Sequence, residues 1–486
     1  MSTSVDDAPV VREDALYAGG RWVTVESSAR ITVRNPYDLS VVGVAPDGSA
    51  ADVDVAVRAA REAFDHGPWP RMSPAERADA LIRLAEELER RSGDTADLVT
   101  AEMGQPITTA RAIAGGLPPL HLRYFADLIR GWDQEEVRTN IVFPGSTVVR
   151  NEPIGVAGII VPWNYPQSLM SSKYAPALAV GCTVVIKPAA ETPLDALALA
   201  EAVEAAGLPP GVVNIVTGGR ETGEALVDHP GVDKIAFTGS TAAGRRIAAR
   251  CGERLIPATL ELGGKSAAIV LDDADDELAL NELRSLSFMN SGQTCFLLSR
   301  VLVPRRRFSD FTGGLATVAE SLVLGDPRDE ATEQGPLVSE RIRTRVRSLV
   351  DDSVAQGARV VTGGRQLADA PGFFYEPTVL VDVDQRSALA QEEVFGPVVI
   401  VTPYDSEEEA ISLANDTIYG LGGAVFSSDE EHALRVARRI ETGTIGINGY
   451  RPDHGSPFGG YKASGIGREN GPEVLSSYLK IKSVFG

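Results

Sequence analysis

Two short stretches of this chain pair the residue types that covalent catalysis by a thiol requires. Ser291-Gly292-Gln293-Thr294-Cys295 sets a cysteine behind a glycine turn, at the end of a helix expected over about Asp275 to Met289. Upstream, Glu261-Leu262-Gly263-Gly264-Lys265-Ser266 puts a carboxylate at a strand end that runs into a second glycine turn. A nucleophile on one loop and a base on another is the arrangement that activates a thiol and later a water. Either stretch alone is ordinary, because a mid-chain cysteine is most often a small buried hydrophobe.

The elements that must position these loops can be read from the pattern around them. From Pro153 onward, short β-branched runs alternate with helical stretches: Gly155 to Val161, Thr183 to Lys187, Val212 to Val216 and Asp233 to Phe237. Strands separated by helices of 10–15 residues imply βαβ units and a parallel sheet. Ligands bind such sheets beyond the carboxyl ends of the strands, so the residues that follow each strand are the informative ones. After the first comes Pro162-Trp163-Asn164-Tyr165-Pro166, where Asn164 either offers an amide donor or caps the next helix. After the second comes Lys187-Pro188-Ala189-Ala190-Glu191, whose lysine either snorkels to solvent or holds a nucleotide's hydroxyls or phosphates. After the fourth, Phe237-Thr238-Gly239-Ser240-Thr241-Ala242-Ala243-Gly244 leads into a helix and forms an anion site without the G-x-G-x-x-G spacing.

Earlier segments look structural. Leu16 to Val33 reads as a β-hairpin. Ser49 opens a helix with Val53, Val57, Ala60 and Phe64 on one face. Ser73-Pro74-Ala75-Glu76 is a capping box with proline at the first helical position, and its helix ends near Gly93. Residues 133–152 alternate like an extended arm.

Composition narrows the class. At 486 residues the chain needs two or three domains. A net charge of −21 argues against nucleic acid or an anionic membrane as partner. Three separated cysteines (Cys182, Cys251, Cys295) fit a reducing compartment without a disulfide framework, so a cytoplasmic location is expected. The five histidines form no ligand pair at metal spacing, so no metal site is expected. Met1 to Gly20 lacks the pattern of a secretory signal, and no apolar run approaches the ~20 residues of a membrane helix.

Taken in order, Asn164, Lys187, the Gly239–Gly244 turn, Glu261 and Cys295 resemble the aldehyde dehydrogenase superfamily. Glu392-Glu393-Val394-Phe395-Gly396-Pro397 is similar to its nicotinamide-ribose segment. Pro457-Phe458-Gly459-Gly460-Tyr461-Lys462-Ala463-Ser464-Gly465 with Gly467-Arg468-Glu469 is similar to its C-terminal signature. The resemblance runs from about Tyr17 to the end.

It implies an α/β fold: a Rossmann-like parallel-sheet cofactor domain (1–132 and 153–260), an α/β catalytic domain (261–472) and a β-strand oligomerisation arm (133–152 and 473–486). It further implies that Cys295 attacks an aldehyde, that Asn164 and the Cys295 N–H hold the oxyanion, and that Glu261 activates the hydrolytic water. Lys173 and Glu469 match positions that pass the proton outward, against the alternative of a surface ion pair. Pro162, Trp163, Asn164, Lys187, Ala190, Gly239, Ser240, Gly244, Leu262, Glu393 and Phe395 match cofactor positions. Tyr165, Met170, Ser172, Met289, Thr294, Phe296 and Phe458 are expected around the substrate tunnel, with Ser172 where many members carry tryptophan.

Ala190 stands where NAD-preferring members often carry glutamate, so NAD is the expected cofactor with NADP also admissible, and Glu191 next door is a candidate substitute. Arg123 and Arg451 are candidates for contacting a charged aldehyde. The implied activity is NAD(P)-dependent oxidation of an aldehyde to its acid, against a CoA-acylating member or a catalytically silent relative. A homodimer or homotetramer is expected, with Ser477 to Val484 pairing at a sheet edge.

Overall fold

The computed structural model describes residues 13–25, 27–367 and 370–486. Residues 1–12, the larger part of the stretch read as lacking a secretory signal and the start of the expected cofactor domain, lie outside the described residues.

Two large sheets dominate. The first has eight strands in the order Gly465–Ile466, Ala258–Glu261, Lys234–Thr238, Val156–Ile160, Thr183–Lys187, Val213–Ile215, Ala15–Ala18 and Arg21–Thr24. Its five central strands are parallel, as the β-branched runs separated by helices required. The chain moves outward from Val156–Ile160 through Thr183–Lys187 to Val213–Ile215. It then returns to the other side of Val156–Ile160 with Lys234–Thr238, which creates a switch point between those two strands. The loops that carry Asn164 and Ser240 leave the sheet there, where a crevice must open.

The second sheet orders Arg359–Thr362, Thr378–Val381, Val398–Tyr404, Leu298–Pro304, Ser266–Val270, Gly423–Phe426 and Gly446–Ile447, all parallel except the first. Strand Gly465–Ile466 lies within the range expected for the catalytic domain but pairs antiparallel with Ala258–Glu261 of the first sheet. The C-terminal signature thereby reaches the strand that ends in Glu261.

The hairpin is shorter than expected. Ala15–Ala18 pairs with Arg21–Thr24, whereas Arg30–Arg34 pairs separately with Val41–Pro46. The expected capping box at Ser73 forms, and the helix opened by Ser49 has one as well. Ser49 with Asp52 and Ser73 with Glu76 exchange the reciprocal bonds, and the second helix stops at Arg90 before a new one begins at Ser92. The arm consists of Glu135–Thr139 and Ser146–Pro153, joined by Leu479–Phe485. That last strand pairs along its length with Ser146–Pro153 of its own chain, so one of its edges is already taken. Ile141, Phe143, Ile481 and Phe485 are exposed on the arm. No helix among the described residues is long and apolar enough to cross a membrane, and none of their carboxylates, cysteines and histidines cluster as a metal site.

Candidate active site

A cavity of about 840 Å³ lies between the two sheets, and most of the residues singled out above line it: Pro162, Trp163, Asn164, Tyr165, Ser172, Gly239, Ser240, Glu261, Leu262, Met289, Cys295, Phe296, Glu393, Phe395, Phe458 and Glu469.

The cysteine loop is built from unusual backbone. The helix Asp276–Phe288, capped by Asp275, is followed by Asn290, Ser291 and Gly292 at φ of 55°, 55° and 77°. Side chains hold this left-handed run. Gln293 Nε2 donates to the Asn290 carbonyl at 3.1 Å, its Oε1 accepts from Val338 N at 2.9 Å, and Ser291 Oγ donates to the Gly335 carbonyl at 2.8 Å. The base loop packs directly on it: a Cβ on Gly264 would stand 2.3 Å from the Cys295 carbonyl oxygen, so only glycine allows the approach. Burial, with Glu393 and Glu261 adding negative charge, pushes the Cys295 thiol well above its ordinary range, so it rests protonated.

Asn164 does not cap the following helix, whose N-terminal Tyr165 position makes no side-chain cap bond. Its Nδ2 instead donates to the Gln293 carbonyl at 3.0 Å, while Asn290 Nδ2 donates to the Asn164 carbonyl at 3.1 Å. These bonds fix the amide beside the cysteine loop and leave one N–H of Nδ2 for a second acceptor.

Glu261 is 4% exposed and neither carboxylate oxygen has a hydrogen-bond partner. Burial and the nearby Glu469 raise it well above the usual carboxylate range, with Lys173 and Arg468 opposing. Lys173 and Glu469 form no surface pair. Nζ meets Oε1 at 2.5 Å with side chains 1% and 5% exposed, and Ser172 Oγ donates to Glu469 Oε2 at 3.0 Å.

Toward the nucleotide end, Ser240 caps the helix Thr241–Arg254 by accepting from Ala243 N, and the helix entry lines the cavity from Gly239 to Ala242. Gly244 packs against Leu262 rather than lining the cavity. Glu393 accepts from Gly264 N at 3.1 Å and is raised to about 7 by burial. Phe395, at φ 60°, packs edge-on against Trp163 with ring centroids 5.3 Å apart. Lys187 is buried and lowered to about 8 by that burial, with Glu191 and Asp47 opposing. Neither it nor Ala190 is part of the cavity wall. Glu191 is held by Arg341 at 3.2 Å, so its carboxylate is already engaged.

Some expectations fail. Met170 is fully buried in the hydrophobic core on the far side of its helix, whereas Ser168, Leu169 and Ser172 face the cavity. Thr294 turns its hydroxyl to the Tyr165 phenol at 2.6 Å and does not reach the wall. Arg123 pairs with Glu89 and Arg451 with Glu282, and neither reaches in. The sequence reading missed Ile113, Leu117, Pro452, His454 and Asn470, which do line the cavity. The first two lie around a π-turn that no periodicity announces.

A thiol, a buried partnerless carboxyl and a helix entry at a sheet switch point share one crevice, as a cysteine-dependent oxidation coupled to a nucleotide would need. The chain belongs to the aldehyde dehydrogenase family, whose model matches residues 22–484. It is 46% identical over 470 residues to the geranial dehydrogenase of Castellaniella defragrans, covering 97% of this chain and 98% of that one. Among solved structures, a Mycobacterium tuberculosis aldehyde dehydrogenase complexed with NAD+ superposes with a TM-score of 0.95 at 46% identity, covering 98% of each chain. An aldehyde dehydrogenase C mutant of Pseudomonas syringae, complexed with NAD+ and octanal, gives 0.94 at 40% identity over 97% and 96%.

Proposed function

We propose that this aldehyde dehydrogenase oxidises an uncharged, largely apolar aldehyde to the carboxylic acid, using NAD, with Cys295 as nucleophile and Glu261 as base. The observation that carries the reading is the shared cavity, in which the Cys295 thiol, the partnerless Glu261 carboxyl and the Asn164 amide line one wall system. The apolar side chains of Leu169, Met289, Phe296 and Phe458 beside them favour a hydrocarbon tail, in keeping with the geranial and octanal of the relatives.

The cofactor fits on this chain's own features: the Ser240 helix entry for a pyrophosphate, Glu393 for ribose hydroxyls, and Trp163 with Phe395 beside an aromatic ring. Lys187 would hold the outer ribose. NAD, when bound, supplies the hydride acceptor that converts the adduct on Cys295 into a thioester.

The chain's own residues do the rest. Glu261 accepts the thiol proton as sulfur adds to the carbonyl carbon. The free N–H of Asn164 Nδ2 and the Cys295 N–H then hold the oxygen as it becomes negative, each such donor being worth ~3 kcal/mol. Glu261 passes its proton toward Lys173 and Glu469, and as carboxylate takes a second one from water. The hydroxide adds to the thioester and the Cys295 thiolate leaves. General-base help of this kind contributes about 10²–10⁴-fold. The two sheets serve as a cofactor-holding body and a catalytic body, and the exposed arm joins subunits.

Cys295→Ala is expected to abolish reduced-cofactor formation while cofactor still binds. Glu261→Gln should slow the pre-steady-state burst, which needs the thiol proton removed, and slow the steady rate behind it further. A Glu261→Gln enzyme whose burst and steady phases both match the parent removes the base from this scheme.

A further inference from the structure

Two arginines of the helix Glu340–Ala355 line the cavity, and they are held very differently. Arg345 Nη2 donates to Glu392 Oε2 at 3.0 Å and to the Glu393 carbonyl at 3.1 Å, so it is fixed within its own body. Arg341 instead crosses to the other body. Its one partner among the described residues is Glu191, with Nη2 3.2 Å from Oε1, and the two side chains are 70% and 30% exposed. An exposed pair of this kind holds by less than about fivefold, so Arg341 can exchange its partner at little cost.

Glu191 belongs to the loop that follows Thr183–Lys187, the loop that starts at Lys187. Lys187 is 7% exposed, yet its ammonium makes no hydrogen bond or ion pair among the described residues; Glu191 and Asp47 act on it only through their charge. Both carboxylates are engaged elsewhere. Glu191 is turned to Arg341, and Asp47 Oδ1 accepts from Gly219 N at 2.9 Å. Ala190 adds none. A buried cation without a bonded partner is costly, so this one calls for an acceptor from the occupant.

We infer that Arg341 and Lys187 form a site for a phosphate on the outer ribose of the cofactor, so that the chain takes NADP as well as NAD. The inference rests on the cofactor placement above. A plain ribose hydroxyl satisfies Lys187 by accepting from it and asks nothing of Arg341. A phosphate in place of that hydroxyl meets both cations: Lys187 as a point charge, and Arg341 through its planar fork of N–H donors. A carboxylate free to face the ribose would repel the phosphate. Here the nearest one, Glu191, is offset by an arginine until the phosphate recruits that arginine, and its partly exposed side chain can then turn to solvent.

The test measures dissociation constants of NAD+ and NADP+ for the full chain without aldehyde, by quenching of tryptophan fluorescence, Trp163 being a cavity residue. With two cations facing the phosphate, the parent should bind NADP+ no more than about tenfold weaker than NAD+. Arg341→Ala should raise the ratio of the NADP+ to the NAD+ constant by about tenfold or more, the usual share of a charge-assisted hydrogen bond. Arg341→Lys, which keeps the charge and loses the fork, should restore part of it. Glu191→Gln removes the competing partner and should lower the ratio by up to about fivefold. Added salt should raise the ratio, because Arg341 meets the phosphate from an exposed position. A parent that binds NADP+ more than about tenfold weaker than NAD+ overturns the site. So does an Arg341→Ala chain whose ratio is unchanged, whether it keeps both cofactors or loses both alike. Failure of both cofactors to bind the parent overturns the cofactor placement itself along with the site.

Discussion

Replacing Gly292 with alanine tests whether the backbone of the cysteine loop sets the reactivity of Cys295. Gly292 sits at φ 77°, and a Cβ there would stand 2.0 Å from the carbonyl carbon and oxygen of Gly396 and 2.4 Å from Pro397 N. Ordinary contact begins at 3.4 Å, so the two loops must part by about 3.4 − 2.0 = 1.4 Å. Neither side has slack. The cysteine loop is tied by Gln293 to Asn290 and Val338 and by Ser291 to Gly335, while Gly396 is backed by Val346, whose Cγ2 leaves only 2.4 Å for a Cβ there.

The opening must therefore displace Cys295 relative to Asn164 or Phe395 relative to the cavity. A misplacement of ~1 Å costs roughly 10²-fold in rate, and overpacking adds ~1–3 kcal/mol of destabilisation. Gly292→Ala should lose about 10²-fold or more in kcat/KM, yet melt cooperatively within a few degrees of the parent. The rate at which iodoacetamide alkylates Cys295 should fall in step. A variant within threefold of the parent in kcat/KM, with an unchanged denaturation midpoint, would refute the claim that this contact positions the thiol.

Other expectations follow from the buried charges. Because Cys295 and Glu261 are both displaced upward and both act as anions, falling pH protonates them and slows the reaction; Cys295 alkylation should still be climbing at pH 9, and a plateau near neutrality would contradict the burial argument. Lys173→Met leaves Glu469 buried without its cation and should cost ~3–5 kcal/mol by chemical denaturation. The double variant Lys173→Met with Glu469→Leu should recover much of that loss, and strict additivity of the two would speak against the pair. Asp195, fully buried with only Gln167 pulling its pKa down, is raised from 3.8 to about 7. A carboxyl that protonates more readily when folded adds stability below its ordinary pKa, and that contribution is lost as pH rises through about 7. At ~1.4 kcal/mol per pH unit the ceiling is ~4 kcal/mol. Asp195→Asn should therefore gain more in melting temperature at pH 8 than at pH 4, and a gain independent of pH would count against it.

What could be read in advance divides along physical lines. The parallel sheet is legible because strand and helix periods are local, and the rule that loops after such strands bear ligands points at Asn164, Lys187 and the Gly239–Gly244 turn, of which Lys187 lies outside the cavity wall. Boundaries were legible where a local bond makes them, as with the helix start at Ser49 and the capping box at Ser73. Side-chain direction on a buried helix was not. Every residue of Pro166–Val180 except Leu169 is buried, so no polar face separates cavity-lining Ser172 from core-packed Met170, and hydrophobicity carries no information about which way either points.

Polar pairings between distant segments were equally hidden. His121 and His454 are 333 residues apart, and Ser172 meets Glu469 across 297. Spacing arguments find partners that share a helix face or a loop, so the absence of metal-like intervals says nothing of a pairing between distant histidines. The antiparallel step of Gly465–Ile466 onto the Glu261 strand brings Glu469, Asn470 and His454 to the cavity together, and that step is a long-range pairing with a two-residue signature. The residues proposed for the covalent chemistry sit on short loops, Asn164 and Glu261 after strands and Cys295 after a helix, and are readable as motifs. Those that would distinguish one aldehyde from another sit where two distant segments meet, so family resemblance settles the reaction sooner than the substrate.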